Sequence, residues 1–124
     1  MDNQKERKRQ YVFTDNKVIV IILELNRFNN TEQFKKFAET CMESYSRTMD
    51  SVRKKEKIKT YNPAVVKGFQ HILNKDHTAV TLKYNGEIFA RLNMADIQDM
   101  NLQLKYTYRV FYAFKRYSNA FVKI

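Results

Sequence analysis

The residues best suited to binding chemistry lie in the C-terminal part of the sequence. The segment 102–124 contains five Lys or Arg and seven Tyr or Phe, and it contains no Asp or Glu. Aromatic rings stack on bases and basic groups bind phosphates, so this composition favours nucleic-acid binding. Within the segment we predict phosphate contacts for Lys105, Arg109, Lys115 and Arg116, and base stacking for Tyr106, Tyr112 and Tyr117.

A second basic cluster lies between residues 53 and 59, where five of the seven residues are Lys or Arg and one is Glu. Cations at the C-terminus of a helix complement its dipole, each by about 0.3–1 kcal/mol, and two of them would be enough for that role. The excess charge therefore favours phosphate contact. The residues predicted to make it are Arg53, Lys54, Lys55, Lys57 and Lys59.

The whole chain carries a formal net charge of +10, from 23 basic and 13 acidic residues. Such an excess attracts polyanions through steering and counterion release, and DNA or RNA is the commonest partner of this kind. An acidic protein is the alternative partner. A membrane is not expected, because the basic residues do not follow one short amphipathic segment and the longest apolar run, interrupted by Glu24, is too short to span a bilayer.

The sequence contains no combination of residues that predicts catalysis. Gly68 and Gly86 are the only glycines, so there is no P-loop, and neither a GxSxG nor an HExxH motif occurs. Two His and a single Cys do not make a metal site, and His71 and His77 are expected to be structural or surface residues. We therefore expect no enzymatic activity, no metal and no cofactor. The lone Cys41 fits a reducing compartment, and we expect a cytoplasmic location, or a nuclear one in a eukaryotic host.

Regular secondary structure should dominate, because the chain has only two Gly and one Pro. A length of 124 residues with 44% hydrophobic residues is typical of one domain with its own core. We predict a flexible basic arm over residues 1–10 and a single domain over 11–124. Its class is α+β, with helices packed on a small, mainly antiparallel sheet.

Two stretches give the clearest strand signals. Residues 17–25 are almost continuously apolar, which predicts a central strand covered on both faces. The pair Asn85 and Gly86 tolerates the positive φ angles of a tight turn and predicts a hairpin over about 78–92. A further strand over 11–14 would pair with the first across a turn that has no glycine.

Three helices are predicted, each after an Asn that can cap it. Gln33 completes a capping box with the first Asn, and Pro63 tolerates the first helical position of the second helix. Apolar residues then recur at spacings of three and four. The predicted helices are a long one over about 31–55, a short one over about 63–74 and a C-terminal one over about 94–117, capped by Asn30, Asn62 and Asn93 respectively.

Residues 102–114 also fit a strand, because they alternate between apolar and polar types and are rich in Tyr, Thr and Val. A strand would present Gln103, Lys105, Thr107 and Arg109 on one face. A helix would instead expose the stripe Lys105, Arg109, Tyr112 and Arg116. We favour the helix, since no turn signal interrupts the segment, and both geometries present Lys105 and Arg109 together.

These observations predict a small basic nucleic-acid-binding protein without catalytic activity. Its role would be that of a regulator, a replication accessory or a packaging factor, and its Lys-rich and Asn-rich composition is typical of a phage, a virus or a low-GC organism. A homodimer is expected, because small nucleic-acid binders often double their charged surface in this way. The alternative is a protein-interaction module, a homodimeric adaptor or scaffold that docks on an acidic partner.

Overall fold

The computed structural model describes residues 10–26, 28 and 30–118. It has the predicted α+β architecture, five strands and two helices in this part of the chain. The predicted arm falls outside the described residues, except that Gln10 begins the first strand. The elements are β1 (Gln10–Asp15), β2 (Val18–Glu24), α1 (Thr31–Lys54), β3 (Phe69–Leu73), β4 (Ala79–Tyr84), β5 (Glu87–Asn93) and α2 (Met100–Tyr117).

The five strands form one open antiparallel sheet with the order β1-β2-β5-β4-β3. Both helices pack on the same face, α1 against β1 and α2 against β3 and β5. The ring centroids of Phe37 and Phe114 are 6.0 Å apart, and those of Tyr45 and Tyr106 are 6.3 Å apart. The helices therefore run in opposite directions, which places the end of α1 beside the start of α2.

Both predicted hairpins are confirmed. Asn85 and Gly86 have φ angles of 51° and 84°, as a two-residue turn between β4 and β5 requires. The turn between β1 and β2 contains no glycine, and Asn16 and Lys17 adopt φ angles of 53° and 68° instead. Asn adopts left-handed φ angles more readily than most residues, whereas Lys does not. The backbone of Lys17 is therefore strained in this turn.

Two β-bulges place consecutive residues of a strand under the helices. Val20 in β2 and Phe89 in β5 have no partner in the cross-strand register, which shifts beside each of them. Val20 and Ile21 are both buried, and so are Phe89 and Ala90. Because a bulge breaks the alternation of faces, it adds the Phe89 ring to the core, where it stacks on Phe114 at 3.9 Å.

The prediction of a central strand over 17–25 was correct about the strand and wrong about its position. The strand, β2, is second in the sheet, and β5 occupies the middle. It is also covered on one face only, since Ile19 is 50% exposed. An apolar run therefore marked a strand whose uncovered face is apolar as well.

The predicted helix over 63–74 was wrong. Gly68 has a φ of +88°, which no helix contains, and residues 69–73 form the edge strand β3. The Gly68 carbonyl accepts a hydrogen bond of 2.8 Å from the Asn85 amide, so the strand start is tied to the β4–β5 turn. The Phe69 ring stacks on Phe111 at 3.9 Å, and this contact with α2 replaces the expected helical packing.

The long helix begins as predicted: the Asn30 side chain accepts a 2.9 Å hydrogen bond from the Gln33 amide. The C-terminal helix begins at Met100 rather than near residue 94. Its cap is Asp99, whose carboxylate accepts from two backbone amides at 2.8 and 3.1 Å. Asn93, the predicted cap, instead accepts from the Ala95 amide at 2.8 Å and closes a turn before the helix.

Candidate nucleic-acid interface

The first predicted cluster lies where α1 ends. Its five side chains, Arg53, Lys54, Lys55, Lys57 and Lys59, are all exposed. Lys55 adopts a left-handed φ of 53° and its amide donates to the last turn of the helix, which directs the chain away from the α1 axis. Arg53 forms a salt bridge with Asp50. Among the described residues, no carboxylate forms a salt bridge with the four lysines.

The segment that carries this cluster continues onto α2. The backbone amide of Tyr61 donates a 3.1 Å hydrogen bond to the Asn101 side chain in the first turn of α2. The Tyr61 ring lies 6.1 Å from the ring of Tyr108, which is about two turns further along the helix than Asn101. Residues 55–61 are therefore anchored beside α2, and the two predicted clusters adjoin one another.

The second predicted cluster lies on a helix, as the favoured alternative predicted. Residues 100–117 form α2, so the strand alternative was wrong, and Gln103 and Thr107 are buried. Lys105 and Arg109 are half-buried, whereas Tyr112, Lys115 and Arg116 are exposed. The stripe Lys105, Arg109, Tyr112 and Arg116 is thus accessible on one side of the helix, with the stems of the first two packed against their neighbours.

The three tyrosines predicted to stack on bases occupy different environments. Tyr106 is fully buried, so its ring contributes to the core and is not available to a base. Tyr117 is half-buried, with the guanidinium carbon of Arg116 5.5 Å from its ring centre. Tyr112 is 44% exposed, and it alone of the three presents a largely open ring.

Two further tyrosines join Tyr112 in an arrangement that the sequence did not suggest. Tyr108 lies between Tyr61 and Tyr112, with ring centres 6.1 and 6.0 Å away. We call these three residues the tyrosine cluster. His71 packs on its inner side, 5.5 Å from the Tyr108 ring, and burial lowers the His71 pKa, which keeps this imidazole neutral at pH 7.

The tyrosine cluster lies beside a cation, Arg109. Burial, and then the neighbouring phenols, raise the pKa of Tyr108, whereas the nearby Arg109 guanidinium partly offsets the rise in the pKa of Tyr61. None of the three hydroxyls hydrogen bonds to another described residue. These hydroxyls are therefore available as hydrogen-bond donors next to a guanidinium, and this combination suits phosphate oxygens.

Two other depressions have different chemistry. A cavity of about 380 Å³ on the uncovered sheet face is lined mainly by aliphatic side chains, with Arg91 as its charged residue. A smaller one of about 180 Å³ lies at the β1–β2 turn, where the Tyr45 hydroxyl donates a 2.8 Å hydrogen bond to Asp15. Over the described ranges, no three His, Cys, Asp or Glu side chains come together to hold a metal ion.

The uncovered sheet face is partly apolar. One row of cross-strand neighbours crosses all five strands on it: Val12, Ile22, Arg91, Thr81 and Ile72. Val12 and Ile72 at its two ends are 45% and 48% exposed. The described residues of this row include no aromatic ring, in contrast to the α2 side of the sheet.

Comparisons with protein-family models, with curated proteins and with solved structures found no match to this chain. In the part of the chain that the structure describes, neither helix is long and apolar enough to cross a bilayer. The geometry of the site is thus the basis for its functional assignment.

Proposed function

We propose that this protein binds nucleic acid, without catalysing a reaction, through a basic surface made by the segment after α1 and by the exposed side of α2. The observation that carries the proposal is that the lysine-rich segment after α1 is hydrogen bonded at Tyr61 to α2, the helix that carries Arg109 and Tyr112. Lys57, Lys59 and Lys105 form no salt bridge with a described carboxylate, and the segment that carries the first two is hydrogen bonded to α2. A polyanion is the partner that this charge distribution favours.

The alternative explanation, that these cations only complement a helix dipole, accounts for fewer residues. Arg53 and Lys54 lie in the last turn of α1 and satisfy that role. Lys57 and Lys59 lie beyond the helix, where the dipole effect has decayed. Their exposure, and the lack of a carboxylate partner within the described ranges, support a role in binding phosphates.

The proposal is tested by fluorescence anisotropy with labelled DNA and RNA, single-stranded and duplex, at low and moderate salt. Replacing Lys57 and Lys59 together with Gln should weaken binding to every sequence and reduce the slope of log K against log salt by about 1.4 on single strands. The matched control replaces Lys35 and Lys36 with Gln, in the first turns of α1, about 28 Å along the helix from its end.

We expect the Lys57 and Lys59 variant to bind nucleic acid more weakly, and the Lys35 and Lys36 variant to keep most of the affinity. Equal effects of the two pairs would mean that net charge alone, and not this surface, attracts nucleic acid. If the affinity of the Lys57 and Lys59 variant is unchanged, these two lysines do not contact the nucleic acid. Circular dichroism confirms that both variants remain folded, which their exposed positions predict.

Within this proposal, a regulatory, replication-accessory or packaging role remains the biological expectation. Such roles require binding alone. Binding through phosphate contacts does not depend on the nucleotide sequence unless the protein also contacts base edges. The charge of the chain and its solvent-exposed cations suit this kind of binding.

The uncovered sheet face favours a second candidate function, an interaction module that forms a homodimer. Val12 and Ile19 lie on the neighbouring strands β1 and β2 and are 45% and 50% exposed, and neighbouring exposed aliphatic side chains are typical of a surface that another protein covers. A second copy of the chain would place the same surface against itself, as an isologous interface requires. Light scattering should then give a dimer mass that persists at high salt and is lost when Val12 and Ile72 are replaced with Lys; a monomer mass at all concentrations would exclude it.

A further inference from the structure

The tyrosine cluster has the geometry of a rigid platform. Tyr61 is fixed at its backbone by the 3.1 Å hydrogen bond to Asn101. Tyr108 is wedged edge-on against Phe69 at 5.3 Å and against Phe111 at 6.3 Å, so it cannot turn away from its neighbours. Tyr112 follows Tyr108 by one helical turn and is the most exposed of the three.

A platform of this kind differs from a purely electrostatic surface in what it recognises. Aromatic rings gain stacking energy from the flat face of a base, and every base has such a face. In a duplex the faces are already stacked on one another, and only base edges and the backbone remain accessible. The exposed ring of Tyr112 and the half-buried ring of Tyr61, beside a cation, therefore favour unpaired nucleotides over duplex.

We infer that the ligand of this surface is single-stranded nucleic acid, with bases stacking on Tyr61 and Tyr112 while Arg109 contacts the phosphate between them. Tyr108 is a positioning residue that holds the two rings apart. The inference rests on the proposed function and adds the strand form and the stacking residues to it. Tyr61 replaces the buried Tyr106 among the residues predicted from sequence.

The chain has no Trp, so Tyr112→Trp introduces a single indole reporter at an exposed position. Three labelled probes, each about 12 nucleotides long, are titrated at one low salt concentration: a single strand, a hairpin duplex and an abasic strand with the same number of phosphates. Stacking predicts strong quenching of the indole by the single strand and little by the other two. Affinity of the unmodified protein is measured for the same probes.

The matched variants are Tyr112→Phe, which keeps the ring, and Tyr112→Ala, which removes it. We expect Tyr112→Ala to weaken single-strand binding on the order of fivefold to a hundredfold and Tyr112→Phe to leave it within about twofold. The abasic strand should bind the unmodified protein more weakly than the single strand, and Tyr112→Ala should remove that difference. Tyr61→Ala should act in the same direction, and Tyr61→Phe should not.

The outcomes separate the inference from the proposed function. If all three probes bind equally, with a steep salt dependence and no change in Tyr112→Ala, the surface binds phosphates but the stacking inference is wrong. A preference for the duplex would overturn the inference in the same way. If no probe binds even at low salt, the proposed function itself is wrong, and the inference falls with it.

Discussion

The buried hydroxyl of Tyr106 provides a sharp test of the structure. The side chain is fully buried, and its oxygen has no hydrogen-bond partner among the residues that the structure describes. Burying such a group without a partner costs about 1–3 kcal/mol relative to leaving it in water. The change Tyr106→Phe removes the oxygen and keeps the ring, which packs 6.3 Å from Tyr45 in the contact between α1 and α2.

We therefore expect Tyr106→Phe to raise the free energy of unfolding by about 1–2 kcal/mol, since the small void left by the oxygen offsets part of the gain. For a chain of this size the melting temperature should rise by about 4–8 °C. Urea denaturation followed by circular dichroism should show the midpoint rise by about 0.5–1 M with an unchanged slope.

The matched control is Tyr45→Phe, the same chemical change at a hydroxyl that has a partner. Its hydroxyl donates a 2.8 Å hydrogen bond to Asp15, so its removal should lower the free energy of unfolding by about 1 kcal/mol. Opposite signs for the two variants support the assigned packing. A destabilisation by Tyr106→Phe similar to that by Tyr45→Phe would refute it, because the Tyr106 oxygen would then have a partner in the folded protein.

Three further predictions concern local contacts. Gly68→Ala and Gly86→Ala should each lower the free energy of unfolding by about 1 kcal/mol, because both positions have positive φ. The loss should be somewhat larger at Gly68, where a Cβ would also displace the Asn85 side-chain oxygen, and thermal melts compare the two variants. Asp99→Ala should cost about 1 kcal/mol, since it removes the acceptor for two amides at the start of α2, and urea midpoints measure this loss. Burial, and then the hydrogen bond to Asp15, raise the pKa of Tyr45 from about 10 to about 12. The protonated Tyr45 side chain therefore contributes fully to the free energy of unfolding below pH 10, and this contribution is lost as the pH rises to about 12. Urea midpoints in this alkaline range should fall less steeply in Tyr45→Phe.

Local signals in the sequence predicted the elements whose determinants are local. The Asn30 cap, the turn at Asn85 and Gly86, and the apolar run of β2 each depend on residues close together in the chain. The helix predicted over 63–74 was wrong although its apolar residues have helical spacing, because Gly68 adopts a positive φ and residues 69–73 pair with β4 instead. The deciding contacts, with the β4–β5 turn and with α2, are made by residues distant in sequence.

Bulges explain why the buried face of the hairpin was not evident from the sequence. Strict alternation groups Phe89 with the charged Glu87 and Arg91. The register shift in β5 instead places Phe89 and Ala90 on the same buried face, and the period of two no longer applies. A bulge depends on the partner strand, so a single strand sequence does not reveal it.

The sequence predicted which charged residues of the candidate site are accessible better than it predicted which aromatic rings are. Lysines are hydrated and remain at the surface wherever the chain folds, which is why both basic clusters are accessible. Tyr106 lies about 100° around α2 from Lys105, on the side that faces α1, and helical geometry gives that angle once the helix is assigned. The pairing of Tyr61 with Tyr108 joins a loop to a helix across a long sequence separation, and no local pattern indicates it.

The most direct test of the central claim is the affinity of the unmodified protein for a labelled single strand, measured by anisotropy across a salt series. The proposed interface predicts tight binding at low salt and a linear fall of log K with log salt, with a slope equivalent to several phosphate contacts. A flat salt dependence, or no binding at the lowest salt, would contradict the claim that this basic surface is a nucleic-acid interface.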